Sequence, residues 1–466
     1  MGEIESQKVS KGMRIAFANG DIGDTVAQFT FQFLIFTFYF TVVRLPVMLV
    51  SLGFIFWSIW NAFNDPMIGY LSDRTKSRWG RRVPWMMGAT IPLAVVMIML
   101  FTPPIGLNSD LVNFFYLLFI LIAYDTVFTS FNLNYNALFS EMFVEMEDRS
   151  ATGKIRISFT MIATILAFVV PTLIIEDITN KYNHPETLTQ YQVTGIVAAI
   201  IILVSYFIIL KWGVREPKEF SRDAETAMSF RTTLKNSFKN KSFLWFLIPG
   251  LGTWMVIYIL PTLAPLHMTY AIGIEDSELI GVILLVMFLS AAASTPIWEK
   301  IRRKKGARVS GMIGIVVWAI PLLFFAFATN FEMALIIAIF EGIGLGGGIY
   351  FYDQCMAEII DEDEIKYGTR RSGIYYAVIN FLIRISTIIN FVVIGLVFSS
   401  TDWQTYEPNP GVDTIFALRL LIGVYPAIVL MVSFIGMYFY PIHGEKLMEN
   451  RKKLTELHYA KRSSLK

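Results

Sequence analysis

The chain has 466 residues, of which 55% are hydrophobic and 16% charged. A soluble globular domain carries roughly 25% charged residues, so the composition excludes a water-soluble protein of this length and points into a membrane. The net charge of +2 is informative only through its distribution along the chain, and no nucleic-acid partner is expected.

One cysteine, Cys355, excludes a disulfide framework and any cysteine-rich metal site. The four histidines His184, His267, His443 and His458 have no ligand spacing. The first fifteen residues carry Glu3, Glu5, Lys8, Lys11 and Arg14 and no short apolar run with a cleavage site. No removable signal peptide is expected.

Crossing a hydrocarbon core takes about 20 mostly apolar residues. Such stretches fall at 20–43, 47–72, 84–103, 111–140, 155–176, 191–211, 243–271, 277–299, 308–328, 332–359, 372–399 and 413–441. Span 111–140 is long for one crossing, and its polar second half reads as a helix facing a cavity.

Cytoplasmic loops carry an excess of Lys and Arg. With the N-terminus inside, the loops after spans 2, 4, 6, 8 and 10 must be cytoplasmic. They hold Arg74, Lys76, Arg78, Arg81 and Arg82, then Arg149, Lys154 and Arg156, then a long basic loop over roughly 212–242, then Arg302–Lys305 and Arg308, then Lys366, Arg370 and Arg371. The opposite loops, 103–110, 177–190 and 400–412, are almost free of basic residues. The pattern predicts a cell-membrane protein with both termini in the cytoplasm.

The long basic loop divides the chain into an N-terminal half (1–211), a central loop (212–242) and a C-terminal half with its tail (243–466). The halves echo each other weakly. "PMIGYLSDRTKSRWGRR" follows the second span of the first half, and "PIWEKIRRKKGAR" the second span of the second. Repeated halves about an axis along the membrane normal are the major-facilitator plan. The expected fold is an all-α membrane protein of twelve transmembrane helices in two six-helix halves.

Ionisable and amide side chains within spans are costly and mark function by default. In span 2, "IWNAFNDPMIG" puts Asn61, Asn64 and Asp65 at i, i+3 and i+4 on one helix face. Three oxygens there suit a small hard cation or a proton, and Pro66 frees a carbonyl one turn back. In span 4, Tyr124 precedes a stripe of Asp125, Thr129, Asn132 and Asn136, with amides and hydroxyls suited to a polyol or to packing against span 2. In span 1, either Asp21 or Asp24 could join a cavity. In span 11, Arg384 lies well inside the apolar run one turn from Asn380, and needs a partner such as Asp65 or a substrate anion.

The stretch "EIIDEDEIKYGTRRSG" (358–373) reads as a loop able to gate the cytoplasmic side through changing ion pairs. Asp73 in "SDRTKSRWGRR" reads as a partner for an Arg near the loop between spans 4 and 5. Gly344, Gly346, Gly347 and Gly348 read as a helix-packing element. There is no P-loop, HExxH or GxSxG motif, so no enzyme is expected and no cofactor beyond a coupling ion, H⁺ or Na⁺.

Three stretches carry a family resemblance: "NDPMIGYLSDRTKSRWGRRVPW" (64–85), "NYNALFSEMFVEMEDRS" (134–150) and "IIDEDEIKYGTRRSGIYYAV" (359–378). The chain resembles the glycoside-pentoside-hexuronide:cation symporter family of the major facilitator superfamily, of melibiose permease type. The resemblance implies a cation site between helices 2 and 4 and a sugar site between the halves. Asp65 matches the family's second coupling carboxylate, and Asn64 and Thr129 match residues of the same site. Arg384 stands where the melibiose permease type has a lysine.

Three positions depart from that type. Asn61 and Asn132 stand where it has a coupling carboxylate and a sugar-binding aspartate. Thr25 falls at its helix 1 aspartate, with Asp24 adjacent. Fewer carboxylates weaken the case for Na⁺, because hard-cation affinity rises with ligand charge, and a proton needs only Asp65.

The expectation is therefore a monomeric secondary symporter for a sugar or glycoside, working by alternating access. Asp65, Asn61, Asn64 and Thr129 would couple the cation, and Asp24, Tyr124, Asn132 and Arg384 would shape the substrate site. The rivals are a lysophospholipid or amphiphile transporter on the same fold and a non-transporting membrane sensor.

Overall fold

In hydrocarbon every backbone N–H and C=O must be paired within its own segment, which leaves helices for a chain of this composition. The computed structural model describes residues 10–143, 145–215, 238–368 and 372–463, and all regular elements among them are helical. Helix α1 (Lys11–Ala18) leads into α2 (Gly20–Thr37). Then come α3 (Val47–Arg74), α4 (Val83–Met99), α5 (Asp110–Met142), α6 (Met146–Ile174) and α7 (Thr187–Ile208). The later helices are α8 (Lys241–Leu266), α9 (Ser277–Phe325), α10 (Phe331–Tyr367), α11 (Ser372–Ser399), α12 (Val412–Arg419), α13 (Tyr425–Tyr438) and α14 (Gly444–Ser463).

Ten stretches are long and apolar enough to cross a membrane, and α4 is a shorter apolar helix of 17 residues. Helix α9, at 49 residues, holds two crossings. It breaks at Gly306, where φ is 82° and ψ 169°, a backbone region that glycine enters without steric cost. The basic run Arg302–Lys305 sits just before that break, which keeps the turn at a polar surface. All twelve expected crossings are thus accounted for. Large apolar side chains stand outward on these helices: Phe63 is 67% exposed, Ile91 68% and Phe327 65%. In water such a surface would aggregate, whereas in lipid it is solvated.

Two local expectations are corrected. The acidic stretch read as a loop is helical, since α10 runs on through Asp361, Glu362, Asp363 and Glu364 to Tyr367 and ends at Gly368 with φ of 73°. Met356, Ile359 and Ile360 are buried and keep the helical period through the charges. Asp73 faces Arg82 at 3.2 Å and Arg81 at 3.9 Å from its own loop. The partner that α5 supplies to those arginines is an acid, Glu141, at 2.8 Å from each. Most of the central loop, with Lys218, Arg222, Arg231 and Lys235, lies outside the described residues, as do Arg370 and Arg371.

The chain forms two compact units. The first comprises Met1–Ala227 with Glu275–Val282 and Gly395–Pro410. Within it α2 lies against α6 and α7, α3 against α5, and α4 against α5 and α7. The two late segments join this unit through the loop after α6. Ser277 Oγ donates to the Glu176 carbonyl at 2.9 Å, Tyr406 donates to the Thr179 carbonyl at 2.7 Å, and Lys181 pairs with Glu275 at 2.6 Å. The second unit comprises Met228–Ile274, Ile283–Ile394 and Gly411–Lys466. There α13 packs on α8 and the C-terminal α14 on α10, around Phe243, Phe246, Trp318, Phe351 and Cys355.

Candidate functional site

Helix α5 organises the polar interior of the first unit. Asp125, Thr129, Asn132 and Asn136 recur along one stripe, as the sequence spacing requires. Each meets a different partner. Asp125, 1% exposed, accepts from both helix 3 asparagines. Asn61 Nδ2 donates to its Oδ1, and Asn64 Nδ2 donates to its Oδ2 at 2.9 Å and to its carbonyl at 3.2 Å. Thr129 Oγ1 donates to Asp65 Oδ1 at 3.0 Å. Asn132 Nδ2 donates to Asp24 Oδ2 at 2.6 Å. Asn136 Oδ1 accepts from Arg156 Nη2 at 2.9 Å.

These contacts fix which way the amides point. A carboxylate only accepts, so Asn61 and Asn64 must turn their NH₂ groups to Asp125. Their carbonyl oxygens, Asn61 Oδ1 and Asn64 Oδ1, are then buried with no hydrogen-bond partner among the described residues. Two orphaned acceptors thus lie one turn apart on α3, the helix that also carries Asp65, and oxygens of this kind are the ligands a hard cation takes. Helix α3 continues through Pro66 to Arg74. No group of three or more His, Cys, Asp or Glu that could hold a metal ion occurs among the described residues.

The two helix 2 carboxylates separate into distinct roles. Asp21 is held by Arg156 through Nε at 2.7 Å and Nη2 at 2.8 Å, and by the Tyr135 hydroxyl at 2.9 Å. Arg156 also lies over the rings of Tyr135 at 4.7 Å and Phe139 at 4.6 Å. Asp24 takes the Asn132 bond on Oδ2, and its buried Oδ1 has no partner among the described residues. Asp24 is therefore the carboxylate with acceptor capacity left for a ligand.

Tyr124 is differently employed from what its position suggested. It is 3% exposed, donates its hydroxyl to the Ala27 carbonyl at 3.0 Å and stacks on Phe31 with centroids 4.3 Å apart. It fastens α5 to α2. Arg384 belongs to the second unit, half-buried on α11, where Tyr376 and Asn380 share its face at four-residue steps and are exposed. Asp65, Asn61, Asn64, Thr129, Asp24 and Asn132 all belong to the first unit, where Thr129 bonds Asp65, the two asparagines bond Asp125, and Asn132 bonds Asp24.

Sequence reading missed two residues. Arg156 counted only as a basic loop residue, yet it lies a few turns inside α6 (Met146–Ile174). Asp125 was seen as one rung of a stripe, not as the anchor of the α3 asparagines. The four-residue step from Asp125 to Thr129, matching the step from Asn61 to Asp65, is the signal that could have found it.

Residues 16–444 match the model of the MFS/sugar transport protein family. An uncharacterized symporter of Synechocystis is 24% identical, the alignment covering 94% of this chain and 95% of that one. The sodium-dependent lysophosphatidylcholine symporter 1 of Xenopus tropicalis is 24% identical over 98% of this chain and 92% of its own. Among solved structures, the nucleoside transporter NupG has a TM-score of 0.66 at 14% identity and covers 92% of this chain and 100% of its own, a likeness of fold. The chain belongs to the MFS/sugar transport protein family, and is a multi-pass membrane transporter rather than an enzyme.

Proposed function

We propose that the protein is a cation-coupled symporter working by alternating access as a monomer in the cell membrane, with both termini cytoplasmic. Asp65, Asn61, Asn64 and Thr129 hold the coupling ion. The observation that carries this reading is the pair of orphaned oxygens, Asn61 Oδ1 and Asn64 Oδ1, beside the Asp65–Thr129 bond. A proton would need Asp65 alone and would leave both amide oxygens unsatisfied. Na⁺ uses all four groups, and relatives named sodium-dependent support it. This reverses the preference for H⁺ drawn from counting carboxylates.

The substrate is a polar, hydroxyl-bearing small molecule of sugar or glycoside type. Asp24 Oδ1 is a free buried acceptor beside the Asn132 amide, and sugar hydroxyls are donors to such a group. In the second unit, Arg384, with Asn380 on its face, is a charged group able to bind a substrate. The second reading, a lysophospholipid, is favoured by the names of several relatives.

The deciding experiment is uptake into proteoliposomes of labelled sugars and of lysophosphatidylcholine, under a Na⁺ or a proton gradient imposed separately. Sugar uptake driven by Na⁺, and lost in Asp65→Asn, establishes the reading. Uptake of lysophosphatidylcholine with no sugar moved overturns the substrate. Uptake driven only by protons overturns the ion.

A further inference from the structure

Glu341 is an ionisable side chain in the middle of an apolar helix, far from the Asp65 site in sequence and in the other unit. It is 4% exposed. No hydrogen bond or ion pair ties it to any described residue. Its own helix surrounds it with Ile337, Ala338, Gly344 and Leu345, all buried.

The packing of α10 is close on both sides at this level. Gly344 and Gly348 lie one and two turns further along the face that carries Glu341. A Cβ on Gly344 would stand 2.4 Å from the Trp318 Cα, and one on Gly348 2.7 Å from the Trp318 ring. Gly342, next to Glu341, is equally tight, since a Cβ there would fall 2.1 Å from the Met287 carbonyl oxygen. Both arms of α9 therefore close on α10 around this level.

Nor does charge reach it from the neighbours. Along α10 the next ionisable groups are Glu332, more than two turns before Glu341, and Tyr350, Tyr352 and Asp353, more than two turns after it; elsewhere in the second unit stand Tyr258, His267, Arg419 and Tyr425. His267 faces the Phe325 carbonyl at 3.3 Å, and Arg419 donates to the carbonyls of Ala326 and Ala271 at 2.7 and 2.6 Å. Tyr425 donates to Asn390 Oδ1 at 2.9 Å. None of these bonds involves Glu341. A bare carboxylate without partner or water costs far more than a helix position is worth.

We propose that Glu341 is a proton-binding site of the second unit, separate from the cation site at Asp65. The ligand is H⁺ and not a metal cation, because one carboxyl bonded to no other described group cannot supply the several oxygens a hard cation takes. The proton comes from water and returns to it, converting carboxylate to carboxylic acid with no other bond made or broken. A transporter so built responds to pH even where its coupling ion is Na⁺.

The test uses the full chain reconstituted in phosphatidylcholine vesicles and treated with dicyclohexylcarbodiimide, a membrane-soluble reagent that attacks protonated carboxyls, with the modified peptide located by mass spectrometry. Wild type and Asp65→Asn are both expected to be modified at Glu341 near neutral pH. The yield should fall in alkali and be the same in NaCl and KCl. Scoring the Asp65→Asn protein separates this proposal from the reading of the Asp65 site. As an independent measure, Glu341→Gln, which mimics the neutral acid, should melt with wild type in acid and increasingly above it as the pH rises through neutrality, because the unfolded chain releases the Glu341 proton where the folded one keeps it. Three results would overturn the proposal: no modification at any pH, protection by Na⁺, or a Glu341→Gln protein that is destabilised already at neutral pH.

Discussion

Asp21 and Arg156 form a two-pronged ion pair, with Nε and Nη2 of the arginine on the two carboxylate oxygens at 2.7 and 2.8 Å. Both side chains are mostly buried, at 9% and 17% exposure. The pair joins α2 to α6 while Asn136 and Tyr135 of α5 bond to its two ends, so one ion pair fixes three helices. Removing one member of a buried pair costs about 3–5 kcal/mol, because the other charge is stranded. Arg156→Gln and Asp21→Asn should each lower the melting temperature of the purified protein sharply, and the double variant should lower it by less than the sum. Additive effects would mean that the two groups do not depend on each other.

The bond from Thr129 to Asp65 lies one helix turn along α5 from Asp125, the anchor of the two asparagines. A hydroxyl bonded to a charged group contributes about 1.5–3 kcal/mol. Thr129→Val keeps the shape and removes the oxygen, so the ion concentration for half-maximal uptake should rise by about tenfold or more. The maximal rate should change little, and Thr129→Ser should behave as wild type. An unchanged ion dependence in Thr129→Val would remove the hydroxyl from the ion site.

The surroundings of Asn61 disfavour a carboxylate at its position. Its NH₂ group donates to Asp125, which is buried. In Asn61→Asp two carboxylates would face each other, and two such groups in contact cannot both be ionised cheaply. The variant should be less stable than wild type at neutral pH. Its deficit should shrink as the pH falls, because the pair binds a proton more readily folded than unfolded. Thermal melts of both proteins across a pH series read this directly. A deficit that grows on acidification would show that Asp125 is not the neighbour that matters.

The crossings were legible because each is a long apolar run bounded by charge, and even the break in α9 was announced by Gly306 behind four basic residues. The end of α10 was not, because Asp361–Glu364 look like a loop when charge is read without period. The buried Ile359 and Ile360 carry the helix past them. On α3, the shared face of Asn61, Asn64 and Asp65 was legible from spacing, since residues one turn apart share a face. Their bonds were not, because the choice between Asp65 and Asp125 as partner of the asparagines depends on how α3 and α5 are rotated against each other. Arg156 was hidden by its place near a basic loop. Glu341 was open to the rule that an ionisable group inside a span is a functional residue, but the glycines beside it drew attention to packing alone.

The packing role of those glycines is itself open to measurement. A Cβ at Gly344 would lie 2.4 Å from the Trp318 Cα and 2.7 Å from its backbone nitrogen, atoms that cannot swing aside as a side-chain tip could. Trp318 is fully buried, so the helix behind it has nowhere to retreat. Overpacking of this kind costs about 1–3 kcal/mol, and here the upper end applies because backbone must move. Gly88 on α4 provides the control, with nothing within 4 Å of its would-be Cβ. Alanine there relieves the entropic penalty of glycine in a helix, worth up to about 1 kcal/mol. Gly344→Ala should therefore melt several degrees below wild type, and Gly88→Ala at or slightly above it. Equal melting temperatures for the two variants would mean that α9 and α10 do not approach as closely as the Gly344–Trp318 contact requires.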